Sequence, residues 1–191
     1  MQTYLQIIAA LWIVFMVFLF LPTFRKELPA ERKSSLYIRH SFIVALLAVA
    51  LVILIAGFEP DVLAIRVVPD SSLAGIIGII LTIAGLGFSA WARHHLGKYW
   101  SSMVMIKAGH RLIITGPYRV VRNPMYTGIL IAFAGAAIAI GELPAFVALV
   151  IGIASIGVKI HAEEEILLEK FGREYLQYKR DVRAAIIPWV V

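Results

Sequence analysis

Ionisable residues cluster in two short segments of an otherwise apolar chain. Segment 109–126 carries a histidine and three arginines, and segment 159–165 carries a lysine and three consecutive glutamates. Charged groups bordering a bilayer are costly to hold there, so clusters of them usually mark a site. The absence of cysteine excludes disulfides, thiolate catalysis, iron–sulfur clusters and cysteine zinc sites. Any chemistry must therefore use His, Lys, Arg, Glu, Tyr or a bound cofactor.

Lys159 and Glu163 have the spacing that most favours a shared site. Together with Ser155 they follow an i, i+4, i+8 pattern, which places them on one face of a helix. Both side chains can then point into a cavity beneath segment 109–126. The alternative is that Lys159 extends to the lipid headgroups and that the glutamates are solvated where the helix leaves the membrane.

The composition places both segments in an integral membrane protein. The chain is 61% hydrophobic with a mean hydropathy of +0.87, whereas ordinary globular chains are about 45–50% apolar. A membrane helix needs about 20 apolar residues. Five stretches approach that length: about 3–22, 37–57, 71–92, 124–141, and one from about 144 into the 159–165 segment. We predict an all-α polytopic protein with five transmembrane helices, the last two a hairpin, plus a cytoplasmic loop and a C-terminal helix.

The distribution of positive charge predicts the orientation of the chain. Every Lys and Arg except Arg66 falls within 23–39, 93–123 or 159–183. Cytoplasmic loops carry an excess of these residues, so we predict the N-terminus outside and the C-terminus in the cytoplasm. This bias explains the net charge of +6 without a nucleic-acid partner and leaves an attraction to anionic membrane lipids.

Small residues at four-residue spacing predict close packing between the membrane helices. Such spacing stacks them on one face, where two backbones can approach closely. These residues are Ala74, Gly78 and Thr82 in the third helix, Gly128, Ala132 and Ala136 in the fourth, and Ala148 and Gly152 in the fifth.

Two further patterns predict no chemistry. The string 85–90 matches a dinucleotide-binding fingerprint, but it lies inside an apolar helix and lacks the strand that the fingerprint requires. His94 and His95 point in different directions on a helix and have no accompanying carboxylate pattern. We therefore predict packing for the first pattern and no metal site for the second.

The connection 93–123 is the long predicted loop, and loops of this length tend to be functional or disordered. It carries enough apolar residues to fold against the membrane or over a ligand. Gly109, the pair 116–117 and the pair 123–124 divide it into short pieces whose backbone groups can contact a ligand.

An ordered set of residues across 71–191 carries a family resemblance. The set comprises His110 to Ile113, Thr115-Gly116, Tyr118, Arg122 to Tyr126, Glu163 to Glu165, Phe171-Gly172, Tyr175, Tyr178 and Pro188. Its order and spacing resemble the isoprenylcysteine carboxyl methyltransferases, whose wider superfamily includes phospholipid N-methyltransferases.

The resemblance implies an S-adenosylmethionine-dependent methyltransferase. It implies one membrane domain, 1–191, with helices one and two (1–70) as accessories and 71–191 as the methyltransferase core. The cofactor would lie on the cytoplasmic side, between the loop and the last two helices. Its implied contacts are His110, Arg111, Leu112, Ile113, Tyr118, Asn123, Pro124, Met125, Tyr126 and Glu163.

Two positions depart from the family pattern. Lys159 stands where the family has an arginine thought to hold the acceptor's carboxylate, so a planar fork is replaced by a point charge. Asn123 stands where the family has a histidine; asparagine still donates and accepts hydrogen bonds but does not titrate near neutrality.

The resemblance therefore implies carboxyl O-methylation of a lipophilic, isoprenylcysteine-like acceptor that enters from the bilayer. Lys159 would orient the acceptor, and Glu163 would hold the cofactor at the catalytic centre. Three alternatives stay open: phospholipid or small-amine N-methylation, a nicotinamide-dependent membrane reductase, and a non-catalytic membrane scaffold.

Overall fold

The computed structural model describes residues 2–20, 30–33, 65–100, 105–107, 109 and 111–186. The second predicted membrane helix, 37–57, and the predicted site residue His110 lie outside the described residues. The helices are α1 (Gln2–Phe20), α2 (Ser72–Leu96), α3 (Pro124–Ile140), α4 (Leu143–Phe171) and α5 (Arg173–Asp181). The described part also contains short 3-10 turns at Gly97–Tyr99 and Gly116–Arg119, and strands β1 (Ala30–Lys33) and β2 (Met105–Lys107).

Three helical segments of the described part are long and apolar enough to cross a membrane, namely Gln2–Leu19, Ser72–Tyr99 and Leu143–Phe171. α3 is equally apolar but has 17 residues, so at a rise of 1.5 Å per residue it is about 26 Å long. Helices at the first, third, fourth and fifth apolar stretches are thus confirmed, and the count of five membrane crossings stays a prediction. α4 also continues through the three glutamates, as its lack of helix breakers predicts.

The described part of the chain is mostly helical, as predicted, and adds one short antiparallel strand pair that the sequence did not predict. β1 pairs with β2, with Ala30 opposite Lys107 and Lys33 opposite Met105. Both strands lie in segments predicted as connections between membrane helices. With only four and three residues, they are too short to show the alternating pattern that predicts a strand.

α2 and α3 run antiparallel and pack backbone against backbone. A Cβ atom on Gly78 would lie 2.6 Å from the carbonyl oxygen of Gly135. A Cβ atom on Gly85 would overlap the Gly128 carbonyl oxygen, and the reverse holds for Gly128. Gly85, the first residue of the fingerprint-like string, is therefore a packing residue, as predicted.

The predicted small-residue stripes are largely confirmed. Thr82 is fully buried and donates to the Gly78 carbonyl over 2.8 Å, and Ala132 is also fully buried. On α3, however, buried Gly135 closes the contact with α2 while Ala136 is half-buried. A four-residue repeat drifts around a helix of 3.6 residues per turn, so the third member of the stripe falls one residue earlier than predicted.

Aromatic side chains join α1 and α4 to this pair. The Trp12 ring of α1 stacks on Phe133 of α3 with 4.8 Å between ring centroids. Phe15 packs with Leu86 and Ala132. On α4, Gly152 lies beside Phe133, since a Cβ atom there would be in ordinary van der Waals contact with the ring, at 3.6 Å. α3 thus contacts α1, α2 and α4.

The α3–α4 hairpin closes through Gly141 and Glu142. Gly141 has φ +74° and its carbonyl accepts hydrogen bonds from the amides of Val67 and Val68. Arg66 lies 3.7 Å from the Glu142 carboxylate. The predicted hairpin is confirmed. The segment preceding α2 binds to the hairpin turn through these hydrogen bonds and this ion pair.

Replacing Gly141 by alanine is expected to lower the free energy of unfolding. Positive φ costs a residue with a Cβ atom about 1–2 kcal/mol, and that atom would lie 2.7 Å from the Val68 carbonyl oxygen. Unfolding by SDS in mixed micelles measures the change. Gly87→Ala is the control, because a Cβ atom there meets nothing within 4 Å; equal stability of the two variants would contradict the prediction.

Candidate functional site

The start of α3 and the middle of α4 bring three of the predicted site residues together. The Tyr126 hydroxyl donates a hydrogen bond of 2.7 Å to Oε1 of Glu163. Lys159 Nζ lies 4.0 Å from the same oxygen and 5.4 Å from the centre of the Tyr126 ring. Lys159 and Glu163 therefore share one helix face as predicted, and Tyr126 completes a cluster, which we call the Lys–Glu–Tyr cluster.

Burial distinguishes this cluster from a solvated helix exit. Lys159 is 7% exposed, whereas an ammonium that extends to the headgroups would be accessible. The Glu163 side chain is 26% exposed and so is less enclosed than that of Lys159. Charges interact more strongly in such a partly desolvated place than in water. The cluster can thus bind and orient a charged ligand.

A second ionic network lies one residue further along α4. Arg122 Nε donates to Oε1 of Glu164 over 2.8 Å, and Lys179 Nζ donates to Oε2 over 2.7 Å. The side chains of Arg122 and Glu164 are only 10% and 14% exposed. This network joins the loop, α4 and α5, and so fixes the helix that carries the Lys–Glu–Tyr cluster.

The segment 182–186 runs alongside the end of the loop. Arg122 Nη1 donates to the carbonyls of Val182 and Arg183, and the Arg122 amide donates to Ala184. Next to it, the backbone amide and the side-chain amide of Asn123 both donate to Ala185 over 3.0 and 3.2 Å. Asn123 thus orders the chain around the site by holding the segment that follows α5.

Several predicted cofactor contacts lie within an apolar cluster that the loop forms with the end of α2 and the start of α3. Tyr118 and Met125 are buried with Ala92 and Trp100, and Ile113 packs against them. The other predicted contacts are placed differently: Pro124 is fully buried, Leu112 packs against Tyr175, Tyr178 and Val182, and Arg111 is exposed. The predicted contacts are therefore divided between two apolar clusters and the surface, and among them only Tyr126 and Glu163 are hydrogen-bonded to each other in the described residues.

His95 contacts the loop from the end of α2. Its Nε2 lies 2.8 Å from the Thr115 hydroxyl. Gly116 has φ +59°, and a Cβ atom there would lie 2.7 Å from the His95 ring. Thr115 and Gly116 thus pack the loop against His95, a contact that sequence spacing did not predict.

Tyr178 anchors α5 to the loop. Its hydroxyl donates to the Tyr118 carbonyl over 2.7 Å. Burial raises the pKa of both tyrosines, so both hydroxyls stay protonated near neutrality.

Tyr178→Phe is expected to lower the free energy of unfolding by about 1–3 kcal/mol, because the buried Tyr118 carbonyl loses its donor. SDS unfolding in mixed micelles measures the loss. Tyr4→Phe is the control, since the Tyr4 hydroxyl makes no hydrogen bond to any described residue. Unchanged stability of Tyr178→Phe would show that the bond contributes little.

Comparisons with known proteins bear on this arrangement. The solved structure of the eukaryotic intramembrane Ras methyltransferase, isoprenylcysteine carboxyl methyltransferase, matches with a TM-score of 0.59 and 24% identity, over 78% of this chain and 52% of that one. Uncharacterized protein YpbQ of Bacillus subtilis (strain 168) is 30% identical over 71 residues, which are 37% of this chain and 41% of that protein. The matched region thus spans about half or less of either relative.

The family model for phospholipid methyltransferases matches residues 73–174. This region contains α2, the loop, α3 and α4, and with them the Lys–Glu–Tyr cluster and Glu164. The shared fold and the family match confirm the resemblance seen in the sequence, and the apolar helices agree with a membrane protein. Because the match covers more than half of the chain, the protein belongs to the phospholipid methyltransferase family of membrane methyltransferases.

Proposed function

We propose that the protein transfers a methyl group from S-adenosylmethionine to the carboxylate of a lipophilic acceptor, such as an isoprenylcysteine. The observation that carries the proposal is the buried Lys159 ammonium beside the Glu163 carboxylate, which Tyr126 holds in place. The family match supports methyl transfer, and the buried cation favours an anionic acceptor.

The Lys–Glu–Tyr cluster fits the cofactor chemically. The cofactor carries an amino group, ribose hydroxyls and a sulfonium cation. The partly exposed Glu163 carboxylate can accept hydrogen bonds from the amino group or the ribose, and Tyr126 fixes its orientation. The apolar residues Ile113, Tyr118 and Met125 offer contacts for an adenine ring. Arg111, Leu112, Asn123, Pro124 and His110 complete the proposed cofactor-binding set.

Lys159 is proposed to orient the acceptor. When bound, S-adenosylmethionine supplies an electrophilic sulfonium methyl group that an ionised carboxylate can attack directly. Carboxyl groups have pKa values of about 4, so the acceptor is already ionised at neutral pH. The protein therefore needs no strong base. The contribution of Lys159 is then to position the carboxylate, and positioning can lower a barrier by several kcal/mol.

The membrane setting agrees with two separate entry routes. The lipophilic acceptor would enter from the bilayer, and the polar cofactor would enter from the cytosol. We propose that the loop and the C-terminus lie on the cytoplasmic side and the N-terminus outside, in accordance with the positive charge flanking the helices.

The second candidate is N-methylation of a phospholipid or a small amine. The description of the matching family as phospholipid methyltransferases favours it. An amine must be deprotonated to attack a methyl group. The neighbouring Lys159 ammonium would favour the neutral amine, but a hydrogen bond from it would occupy the lone pair that must attack. The two candidates therefore differ in the atom that receives the methyl group, a carboxylate oxygen or an amine nitrogen.

Incubating protein-containing membranes with methyl-labelled S-adenosylmethionine distinguishes the two candidates. A methyl ester releases volatile methanol in mild base, whereas an N-methyl group resists mild base. We expect base-labile label in the extracted lipids or added prenylcysteine. Base-stable label alone would contradict carboxyl methylation and support the amine candidate.

A further inference from the structure

Arg93 is a buried cation outside the Lys–Glu–Tyr cluster. It is 7% exposed at the C-terminal end of α2. Its Nη1 donates to the Gly97 carbonyl over 3.1 Å, and its guanidinium carbon lies 4.1 Å from the centre of the Trp100 ring. Its buried Nε has no hydrogen-bond partner, and no carboxylate of the described residues forms an ion pair with it.

A purely structural role explains only part of this geometry. A cation at a helix C-terminus interacts favourably with the helix dipole, and the contact with Trp100 adds a cation–π attraction. The two interactions account for the position of Arg93 beside the Gly97 carbonyl and for its stacking on Trp100. They leave a charged donor buried without an acceptor, which is costly and is rare in folded proteins. A bound anion would complete its hydrogen bonding.

The surroundings of Arg93 are those of the proposed active site. Trp100, on which it stacks, is buried in one apolar cluster with Tyr118 and Met125. Burial raises the pKa of Tyr118, the Glu163 carboxylate raises it further, and Arg93 lowers it. The Tyr118 hydroxyl is thus within electrostatic reach of both Arg93 and Glu163. Arg93 therefore shares the surroundings of Tyr118 with the Glu163 carboxylate.

We propose that Arg93 binds a carboxylate in the active site. This inference rests on the proposed function and deepens it. A planar guanidinium suits a carboxylate better than the Lys159 ammonium does. The carboxylate has two possible sources, the amino-acid part of S-adenosylmethionine and the acceptor. Either way, Arg93 supplies the forked carboxylate contact that Lys159 cannot make.

The test measures ligand binding in nanodiscs by calorimetry. The ligands are S-adenosylhomocysteine, 5′-methylthioadenosine, which lacks the amino-acid carboxylate, and N-acetyl-S-farnesylcysteine as the acceptor probe. The variants are Arg93→Gln and Arg93→Lys; the second retains the charge and the aliphatic stem, so it serves if the first does not fold. Arg119→Gln, at an exposed arginine of the loop, is the control.

We expect both Arg93 variants to bind one of the two carboxylate-bearing ligands about 10- to 100-fold more weakly, which is the effect of losing a charged hydrogen bond. Weaker S-adenosylhomocysteine binding with unchanged 5′-methylthioadenosine binding identifies the cofactor carboxylate. Unchanged binding of both nucleosides with weaker acceptor binding identifies the acceptor carboxylate.

Two results would overturn the inference. One is unchanged binding of all three ligands, and the other is equal weakening of all three, which would indicate a structural role. If the parent protein binds S-adenosylhomocysteine and the variants match it for every ligand, only this inference fails. Failure of the folded parent to bind S-adenosylhomocysteine would overturn the proposed function as well.

Discussion

Replacing Lys159 by methionine is expected to lower kcat/KM for a prenylcysteine carboxylate by about 100-fold. The loss combines a charged hydrogen bond, about 1.5–3 kcal/mol, with the orientation of the reacting oxygen. Because Lys159 is assigned to the acceptor, the affinity for S-adenosylhomocysteine should change far less. Methyl transfer to N-acetyl-S-farnesylcysteine and calorimetry on the same samples measure the two effects.

Matched variants separate charge from burial at this position. Lys159→Arg keeps the cation and should retain most of the activity. Lys170→Met removes an exposed lysine near the end of the same helix and should have no effect. If Lys159→Met turned over the carboxylate like the parent, the acceptor role of Lys159 would be wrong. If the parent protein methylated an amine and formed no ester, the second candidate would replace the first.

Gly128→Leu is expected to disrupt the packing of α2 against α3 and so to lower sharply the yield and stability of the folded protein. A side chain there overlaps the Gly85 carbonyl and would lie 2.6 Å from the Ser89 amide nitrogen. Neither obstacle is a flexible side chain, so the helices themselves must separate. Overpacking typically lowers the free energy of unfolding by about 1–3 kcal/mol. Because the obstacles here include backbone atoms, we expect a loss of about 3 kcal/mol or more.

Gly157→Leu is the matched control for Gly128→Leu. Gly157 also lies in a membrane helix, and a Cβ atom there meets nothing within 4 Å. Yield of monodisperse protein and SDS unfolding compare the two variants. Normal yield and stability of Gly128→Leu would contradict the close α2–α3 contact on which the placement of the loop depends.

The membrane helices were predictable because each depends on a long local pattern. Apolar runs and breakers located α1, α2, α3 and α4, and the spacing of small residues located the helix faces that meet in the α2–α3 contact. Gly135 was missed because its contact with Gly78 depends on how two helices cross, which no single helix reveals. The strand pair was missed because β1 and β2 are short and distant in sequence.

The candidate site was predictable only where its residues share an element. Lys159 and Glu163 are one turn apart, so helical spacing placed them together. The Tyr126 partner followed from family resemblance alone, and the hydrogen bond to Glu163 required the structure. The ion pair of Arg122 with Glu164 spans 42 positions, and no periodicity encodes such a distance. A buried arginine such as Arg93 looks in sequence like an ordinary helix-end cation.

We propose that the Lys–Glu–Tyr cluster belongs to an S-adenosylmethionine pocket. Calorimetric binding of S-adenosylhomocysteine in nanodiscs tests it most directly, using the parent, Glu163→Gln and the exposed-site control Glu165→Gln. We expect the parent and Glu165→Gln to bind alike and Glu163→Gln to bind about 10- to 100-fold more weakly, because it loses a charged acceptor. Absence of binding to the folded parent, or equal binding by Glu163→Gln, would contradict the claim.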